Sequence, residues 1–257
     1  MRRAIILDTE TTGLDTSKAK VVEIAFKVVD ISSGDCLESF QSVVALSKEE
    51  WDRADPVALK INGFTWDDVQ TLGQPSSDIA VNICSLFSKL KLSPQTSFFL
   101  CQNPSFDKAF FSQICPPSVQ KSYGFPYYWL DFASMNWALM AKEIVLGKRL
   151  PFRIPFSKDG IAQSSGLPPE NSPHRAMNGV DHLLLLFSKI IGFRESHIRT
   201  VEPIQDKLSA EVFVAFGTTL KRSPRNTISK DTPLPAVEVA SQRRSSRNRS
   251  PPLFYKP

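Results

Sequence analysis

The sequence predicts an α/β protein with a mixed β-sheet flanked by helices, followed by a disordered C-terminal tail. An apolar run at 4–7 ends in two acids, a pattern typical of a strand that is buried on both faces and opens onto a polar edge. Further strand-like runs alternate with segments of helical period, which favours a layered arrangement of sheet and helices. After Phe216 the composition turns to Ser, Pro and Arg with few aliphatic residues. We therefore expect a folded domain at 1–217 and a basic, disordered tail at 218–257.

Three strands should open the chain as a meander. The first is the apolar run that ends at Leu7, and the second covers 20–30. A turn signal, Ser-Ser-Gly-Asp at 32–35, separates the second strand from a third at 36–46. In this order the acidic strand lies at one end of the meander.

The remainder of the domain is predicted to contain mainly helices. A helix at 48–59 should be interrupted by Pro56, because proline has no backbone N–H to donate. The segment 76–90 has apolar residues at the helical period, with Ser77 as its expected N-cap. The other expected elements are a helical turn at 66–69 capped by Thr65, a buried strand at 97–101, a helix from about Ser105, a short strand at 128–131, a helix at 132–146 and a last helix near 180–191.

Composition narrows the class of protein. The apolar fraction of 42% is that of an ordinary soluble protein, and the most apolar run, 183–187, is far too short to span a bilayer. The four cysteines have neither CxxC pairing nor zinc spacing, and the apolar run after the N-terminal arginines is too short for a secretory signal. We expect reduced thiols and a soluble, cytoplasmic protein with no membrane partner.

Charge is distributed unevenly along the chain. From Lys221 onward the chain has nine Lys and Arg residues and two acids, a net charge of +7. Because the whole chain has a net charge of +5, residues 1–220 carry −2. The arginine-rich stretch at 242–249 would bind phosphate backbones through salt-sensitive contacts, or it would serve only to keep the protein soluble.

Asp8 and Glu10 are the first candidates for chemistry. A strand has a period of two, so their side chains project to the same side while Thr9 points to the other. Two neighbouring carboxylates at the end of a buried strand repel each other, and a bound cation would relieve that repulsion. The alternative is a strand end whose acids simply face water. After Glu10, Thr11, Thr12 and Gly13 turn the chain.

Three motifs in order resemble those of the DEDDh 3′–5′ exonucleases, the DnaQ-like family that includes the proofreading epsilon subunit of bacterial DNA polymerase III. The resemblance covers roughly 4–191. Its parts are Ile-Leu-Asp-Thr-Glu-Thr-Thr-Gly-Leu at 6–14, Cys-Gln-Asn-Pro-Ser-Phe-Asp at 101–107 and His-Arg-Ala-Met at 174–177, with weaker landmarks at 22–25 and 61–65.

The resemblance implies a ribonuclease H-like exonuclease domain at 1–217 that removes nucleotides from the 3′ end of single-stranded or frayed DNA, in proofreading or repair. It implies two Mg²⁺ or Mn²⁺ ions, which suit hard oxygen ligands. Asp8 would bridge both ions, and Glu10 would bind the ion that holds the attacking water. Asp107 would bind the second ion; otherwise it is only a carboxylate stabilised by a helix N-terminus.

The resemblance also implies roles in proton transfer and in substrate binding. His174 would be the general base, since an imidazole titrates near neutral pH, whereas a lone histidine in a loop is more often only a surface residue. The residues implied in binding the 3′-terminal nucleotide are Thr11, Thr12, Gly13, Leu14, Asn103 and Phe106.

Two positions depart from the family pattern. Gln102 stands where a histidine is usual, which should affect substrate contacts more than metal binding. Gly179 stands five residues after His174, where the family has its fourth carboxylate. We expect Asp181 to act as that metal ligand, provided that Asn-Gly at 178–179 lengthens the loop and the helix begins at Val180. Otherwise water or Asp131 would replace the acid, or the activity would be weakened.

Alternatives to a DNA exonuclease follow from the same residues. One is an RNA 3′-end-trimming enzyme of the same family, because metal and backbone contacts do not select the sugar. Another is a nucleic-acid-binding protein that has lost catalysis and binds mainly through its tail. The apolar segment at 252–255 could in addition dock the tail onto a DNA polymerase or sliding clamp.

Overall fold

Five strands form one mixed sheet in the computed structural model of the protein, which describes residues 3–148 and 154–193. They are β1 (Arg3–Thr11), β2 (Val21–Asp30), β3 (Cys36–Val43), β4 (Ser97–Cys101) and β5 (Trp129–Asp131). Their order in the sheet is β3-β2-β1-β4-β5. The predicted meander of the first three strands is confirmed. The predicted tail at 218–257 and its docking segment lie outside the described residues.

Strand directions gather three strand ends at one edge of the sheet. β1 pairs antiparallel with β2 and parallel with β4, and β4 pairs parallel with β5. The carboxyl ends of β1, β4 and β5 therefore meet at the same edge. This is the edge at which Asp8, Cys101 and Asp131 lie.

The described residues form nine helices. They are α1 (Lys48–Asp52), α2 (Pro56–Asn62), α3 (Trp66–Leu72), α4 (Ser76–Lys89), α5 (Pro104–Ile114), α6 (Pro117–Ser122), α7 (Phe132–Val145), α8 (Lys158–Ser164) and α9 (Ala176–Ile190). No helix in the described ranges is long and apolar enough to cross a membrane.

Helix ends agree with the sequence at some positions and differ at others. Pro56 interrupts the predicted helix by starting a new one, with the Asp55 side chain accepting from the Val57 N–H. Thr65 caps α3 as predicted, in a capping box with Asp68. The N-cap predicted at Ser77 is wrong, because α4 already begins at Ser76 and its capping position is a proline.

Side chains from both faces of the sheet are buried, as the apolar run in β1 predicts. Ile5 and Leu7 pack toward α4 and α5, in a cluster that includes Phe87, Phe99 and Phe111. Ala4 and Ile6 pack on the opposite face, in a second cluster that α7, α8 and α9 complete. The four cysteines are free thiols, as expected. Helices on both faces thus fix β1, the strand that carries the two acids.

Glu23 on β2 ties the last helix to the sheet. Its side chain accepts a hydrogen bond from Gln41 Nε2 at 2.7 Å and one from the Ala176 backbone N–H at 2.8 Å. The residue is only 2% exposed. Because the first N–H groups of a helix lack partners within the helix, this carboxylate acts as a long-range cap that starts α9 at Ala176.

We expect Glu23→Ala to lower the free energy of unfolding by about 1–3 kcal/mol, since it leaves the buried Ala176 N–H without an acceptor and removes the hydrogen bond from Gln41. Urea denaturation measures the change. Glu38→Ala is the matched control, because Glu38 pairs with Lys89 at the surface of the neighbouring strand. That control should change stability by less than about 1 kcal/mol. Equal losses for the two variants would contradict the capping role.

Candidate active site

Asp8, Glu10 and Asp107 come together at the edge where the parallel strands end. Asp8 and Glu10 lie near the carboxyl end of β1, and Asp107 lies in the first turn of α5, the helix that follows β4. Thr9 Oγ1 donates to Asp107 Oδ1 at 2.9 Å, which joins α5 to β1. Parallel pairing of β1 with β4 is therefore what places acids 97 residues or more apart in sequence side by side.

Burial and mutual repulsion raise the pKa of all three carboxyl groups. For Asp8, burial and the nearby Glu170 raise the pKa to about 6, although Lys158 opposes the shift. Burial, followed by the charges of Asp8 and Glu170, raises the pKa of Glu10 to about 8. Burial and then the charge of Asp8 raise the pKa of Asp107 well above its usual range. The acids thus lie within electrostatic reach of one another.

Lys158 and Glu170 are members of this cluster that the sequence analysis missed. Lys158 Nζ lies 2.8 Å from Glu170 Oε2 and 3.4 Å from Asp8 Oδ1, and both side chains of the shorter pair are largely buried. Glu170 Oε1 is buried and has no hydrogen-bond partner in the described part of the chain. In the sequence, Glu170 is recognisable only as an acid four residues before His174. That spacing does not predict a contact unless the conformation of the loop is known.

His174 lies at the rim of the cluster. Its backbone N–H donates to the Ile61 carbonyl at 3.0 Å, which anchors the loop before α9. Its Nδ1 lies 4.0 Å from Glu170 Oε1, and its side chain is 39% exposed. The imidazole therefore has one edge toward a buried acid and another open to solvent.

The prediction that α9 begins at Val180 is wrong. The helix begins at Ala176 and includes Gly179, because Glu23 caps it there. Asp181 consequently does not reach the cluster; its carboxylate pairs with Lys27. The condition on which we expected Asp181 as a metal ligand is not met.

Gly179 is the residue of α9 that faces Asp8. A Cβ added at this position would lie 2.1 Å from Asp8 Oδ2 and 2.9 Å from Lys158 Nζ. Asp131, the other substitute considered for the fourth acid, is engaged elsewhere, since it caps α7 and accepts from the Asn103 N–H. The fourth acid of the cluster is Glu170, which shares Lys158 with Asp8.

The turn after β1 is held by its own hydrogen bonds. Thr11 Oγ1 donates to the Gly13 carbonyl, and Thr12 exchanges two hydrogen bonds with the backbone of Lys20. Buried Asn62 donates to the Thr11 carbonyl at 3.0 Å. Leu14, by contrast, is 80% exposed. A fixed turn thus presents one apolar side chain to solvent beside the acids.

Asn103 and Phe106 lie on the other side of the acids, where α5 begins. Asn103 adopts a left-handed conformation, which asparagine tolerates better than most residues, and its Oδ1 accepts from Ser105. Phe106 packs against Phe110 with ring centroids 4.7 Å apart. Gln102, in the position usually held by histidine, donates to the Phe156 carbonyl.

The donor chemistry of the cluster fits a hard divalent cation. Asp8, Glu10, Asp107 and Glu170 offer only carboxylate oxygens, which Mg²⁺ and Mn²⁺ prefer, and their repulsion favours a bound positive charge. As they stand, however, no three Asp, Glu, His or Cys side chains within 3–148 and 154–193 are arranged to hold an ion. The positive charge inside the cluster is the Lys158 ammonium.

Solved structures with a similar fold include several of Escherichia coli exonuclease I. The complex with a dT13 oligonucleotide matches with a TM-score of 0.60 and 19% identity, over 76% of this chain and 42% of that chain. The complex with a dA16 oligonucleotide gives 0.56 and 18%, over 74% and 41%. The zinc-bound complex with single-stranded DNA gives 0.59 and 19%, over 74% and 40%.

These matches confirm the predicted ribonuclease H-like mixed sheet flanked by helices. The protein spans about two fifths of the length of the exonuclease I chains that it matches. No protein-family profile and no curated protein sequence matches the chain. At this identity the likeness is one of fold, and the chemistry must be argued from the residues of the cluster.

Proposed function

We propose that the protein is a metal-dependent 3′–5′ exonuclease that releases nucleotides from the 3′ end of single-stranded or frayed DNA. One observation carries the proposal: buried Glu10 and Asp107 and the largely buried Asp8 converge beside an exposed Leu14 and a histidine, in a fold shared with exonuclease I. Buried acids that repel one another reduce stability, so their convergence needs a functional reason.

Asp8, Glu10 and Asp107, together with Glu170, are the residues that would hold divalent cations. A cation bound there supplies neutralisation of the phosphate charge and a lowered pKa for water. His174 accepts a proton from the water that attacks the terminal phosphorus. The bond between that phosphorus and the 3′ oxygen of the preceding nucleotide breaks, the oxygen takes a proton from solvent, and a nucleoside 5′-monophosphate leaves. Glu170 Oε1 lies 4.0 Å from His174 Nδ1, so the acid would orient the ring and leave Nε2 as the nitrogen that takes the proton.

The surroundings of the acids suit the end of a single strand. The backbone amide of Gly13 would face the terminal sugar, and the exposed Leu14 side chain would pack on the terminal base, while the Thr12 N–H holds the turn by donating to the Lys20 carbonyl. Asn103 and Phe106 line the side where α5 begins. One of the similar structures contains exonuclease I bound to single-stranded DNA, which supports DNA as the favoured substrate.

The basic tail at 218–257 would add sequence-independent contacts to phosphates and so raise affinity at low salt. In the cell, the protein would act in proofreading or repair. The apolar segment at 252–255 would bind a polymerase or a sliding clamp. The tail and the acids would then act on the same strand, one holding it and the others cutting its end.

The test is digestion of a 5′-labelled single-stranded oligonucleotide by the full chain. We expect a ladder of products shortened from the 3′ end with Mg²⁺ or Mn²⁺ and none with chelator. A matched RNA strand should be shortened more slowly. His174→Ala should lower kcat by about 10²- to 10⁴-fold. Metal-independent cleavage, internal cuts or intact DNA would each contradict the proposal, and faster loss of RNA would reassign the substrate.

A further inference from the structure

Lys158 is a cation that the chain itself places among the catalytic acids. It is the first residue of α8, and its side chain is 16% exposed, equal to that of its partner Asp8. Its second partner, Glu170, is 2% exposed at the side chain. A lysine this buried is held between two carboxylates rather than projecting into solvent.

Gly179 makes the position of this ammonium possible. The Cβ that any other residue would add at 179 would approach Asp8 Oδ2 to 2.1 Å and Lys158 Nζ to 2.9 Å. The space between Asp8 and α9 is therefore occupied by the end of Lys158 only because position 179 has no side chain. The glycine at 179 and the lysine at 158 are two halves of one arrangement.

The position of the Lys158 charge separates one bound ion from two. With all four carboxylates ionised, Asp8, Glu10, Asp107 and Glu170 exceed Lys158 by three negative charges. One divalent ion would leave one negative charge and two would leave one positive charge, so the total charge favours neither number. Asp8 Oδ1 already faces an ammonium 3.4 Å away, so an ion on that oxygen would be repelled by Lys158.

We propose that the Lys158 ammonium takes the place of one of the two divalent ions, so that the cluster binds a single Mg²⁺ or Mn²⁺. This inference deepens the proposed function and rests on it for the identity of the substrate. In that setting Lys158 neutralises a phosphate oxygen on its side of the cluster, and the single ion is held on the side of Glu10 and Asp107.

The number of bound ions tests the proposal directly. Calorimetric titration of the chelator-treated full chain with Mn²⁺ should give one ion that Asp107→Asn abolishes. Lys158→Met removes the charge at nearly the same length, and it should bind two ions, the first with at least about tenfold higher affinity. Lys158→Arg keeps the charge and should again bind one.

Lys27→Met is the matched control, because Lys27 also pairs with an acid but does so with Asp181, outside the cluster. It should bind one ion with unchanged affinity. Thermal unfolding of each variant with chelator and with Mn²⁺ verifies folding, and Lys158→Met should regain with Mn²⁺ the stability that it loses without it. If Lys158→Met fails to fold in both conditions, the numbers of ions bound by the unaltered chain and by Lys158→Arg test the proposal. One ion in each supports it, and two in the unaltered chain overturn it.

Two ions in the unaltered chain, or equal counts in it and in Lys158→Met, would overturn the proposal. These counts need no substrate. If the unaltered chain binds one ion and Lys158→Met binds two, but the unaltered chain digests no DNA, only the proposed function is refuted. If the unaltered chain is an active nuclease with two bound ions, only the role of Lys158 is refuted.

Discussion

Replacing Asp8 with asparagine is expected to lower kcat for removal of a 3′-terminal nucleotide by about 1,000-fold or more. Asp8 is central to the cluster, since its charge acts on Glu10 and Asp107 and its oxygen faces Lys158. Loss of a carboxylate that organises the cations should remove several kcal/mol of transition-state stabilisation. At about 1.4 kcal/mol for each factor of ten, this corresponds to the stated loss.

Stability distinguishes this loss from misfolding. Asp8→Asn relieves repulsion among buried acids, so the metal-free variant should unfold at no lower urea concentration than the unaltered chain at pH 8. Asp52→Asn is the control, because Asp52 is an exposed acid that pairs with Lys48 on α1. It should leave kcat unchanged within twofold. Activity of Asp8→Asn within tenfold of the unaltered chain would exclude Asp8 from the machinery.

In the absence of metal, the free energy of unfolding should fall by several kcal/mol as pH rises from about 4.5 to about 8. Glu10, which is 9% exposed, has a pKa raised from 4.5 to about 8, and Asp8 has one raised from 3.8 to about 6. In that window the folded chain retains protons that the unfolded chain has released, so a rise in pH favours unfolding. Glu10 alone would contribute up to about 5 kcal/mol at 1.36 kcal/mol per pKa unit, an upper bound.

Excess Mn²⁺ should flatten this profile, because a bound cation stabilises the ionised acids and competes with protons. Lys158 remains charged throughout the window and adds no slope there. Urea denaturation at several pH values, with chelator and with Mn²⁺, measures both effects. Glu10→Gln should remove most of the slope in chelator. A metal-free profile that stays level between pH 4.5 and 8 would show that the acids are not buried together.

The local sequence pattern was sufficient to predict the strand that carries the first two acids. The apolar run at 4–7 requires burial on both faces, and the two clusters around Ile5 and Ile6 provide it. The resemblance of three motifs in order pointed to Asp107, and the parallel pairing of β1 and β4 brings the start of α5 to the end of β1. These features depend on neighbours in sequence or on simple sheet topology.

Contacts between distant residues decided what the sequence could not. The start of α9 depends on a hydrogen bond between Glu23 and Ala176, 153 positions apart, which overrides the turn tendency of Asn-Gly at 178–179. Lys158 and Glu170 lie in a region without motif, and their convergence on Asp8 follows only from the placement of α8 and the loop after it. No periodicity or spacing in one sequence records such convergence.

Gly179 has a consequence for how such a site can change over evolutionary time. An acid introduced at 179 alone would collide with Asp8 and with the end of Lys158, while loss of Lys158 alone would leave the remaining acids without their internal counter-charge. Each single step between the two arrangements is therefore disfavoured. The two positions should be inherited as a linked pair, and relatives that have an acid at 179 should lack the lysine.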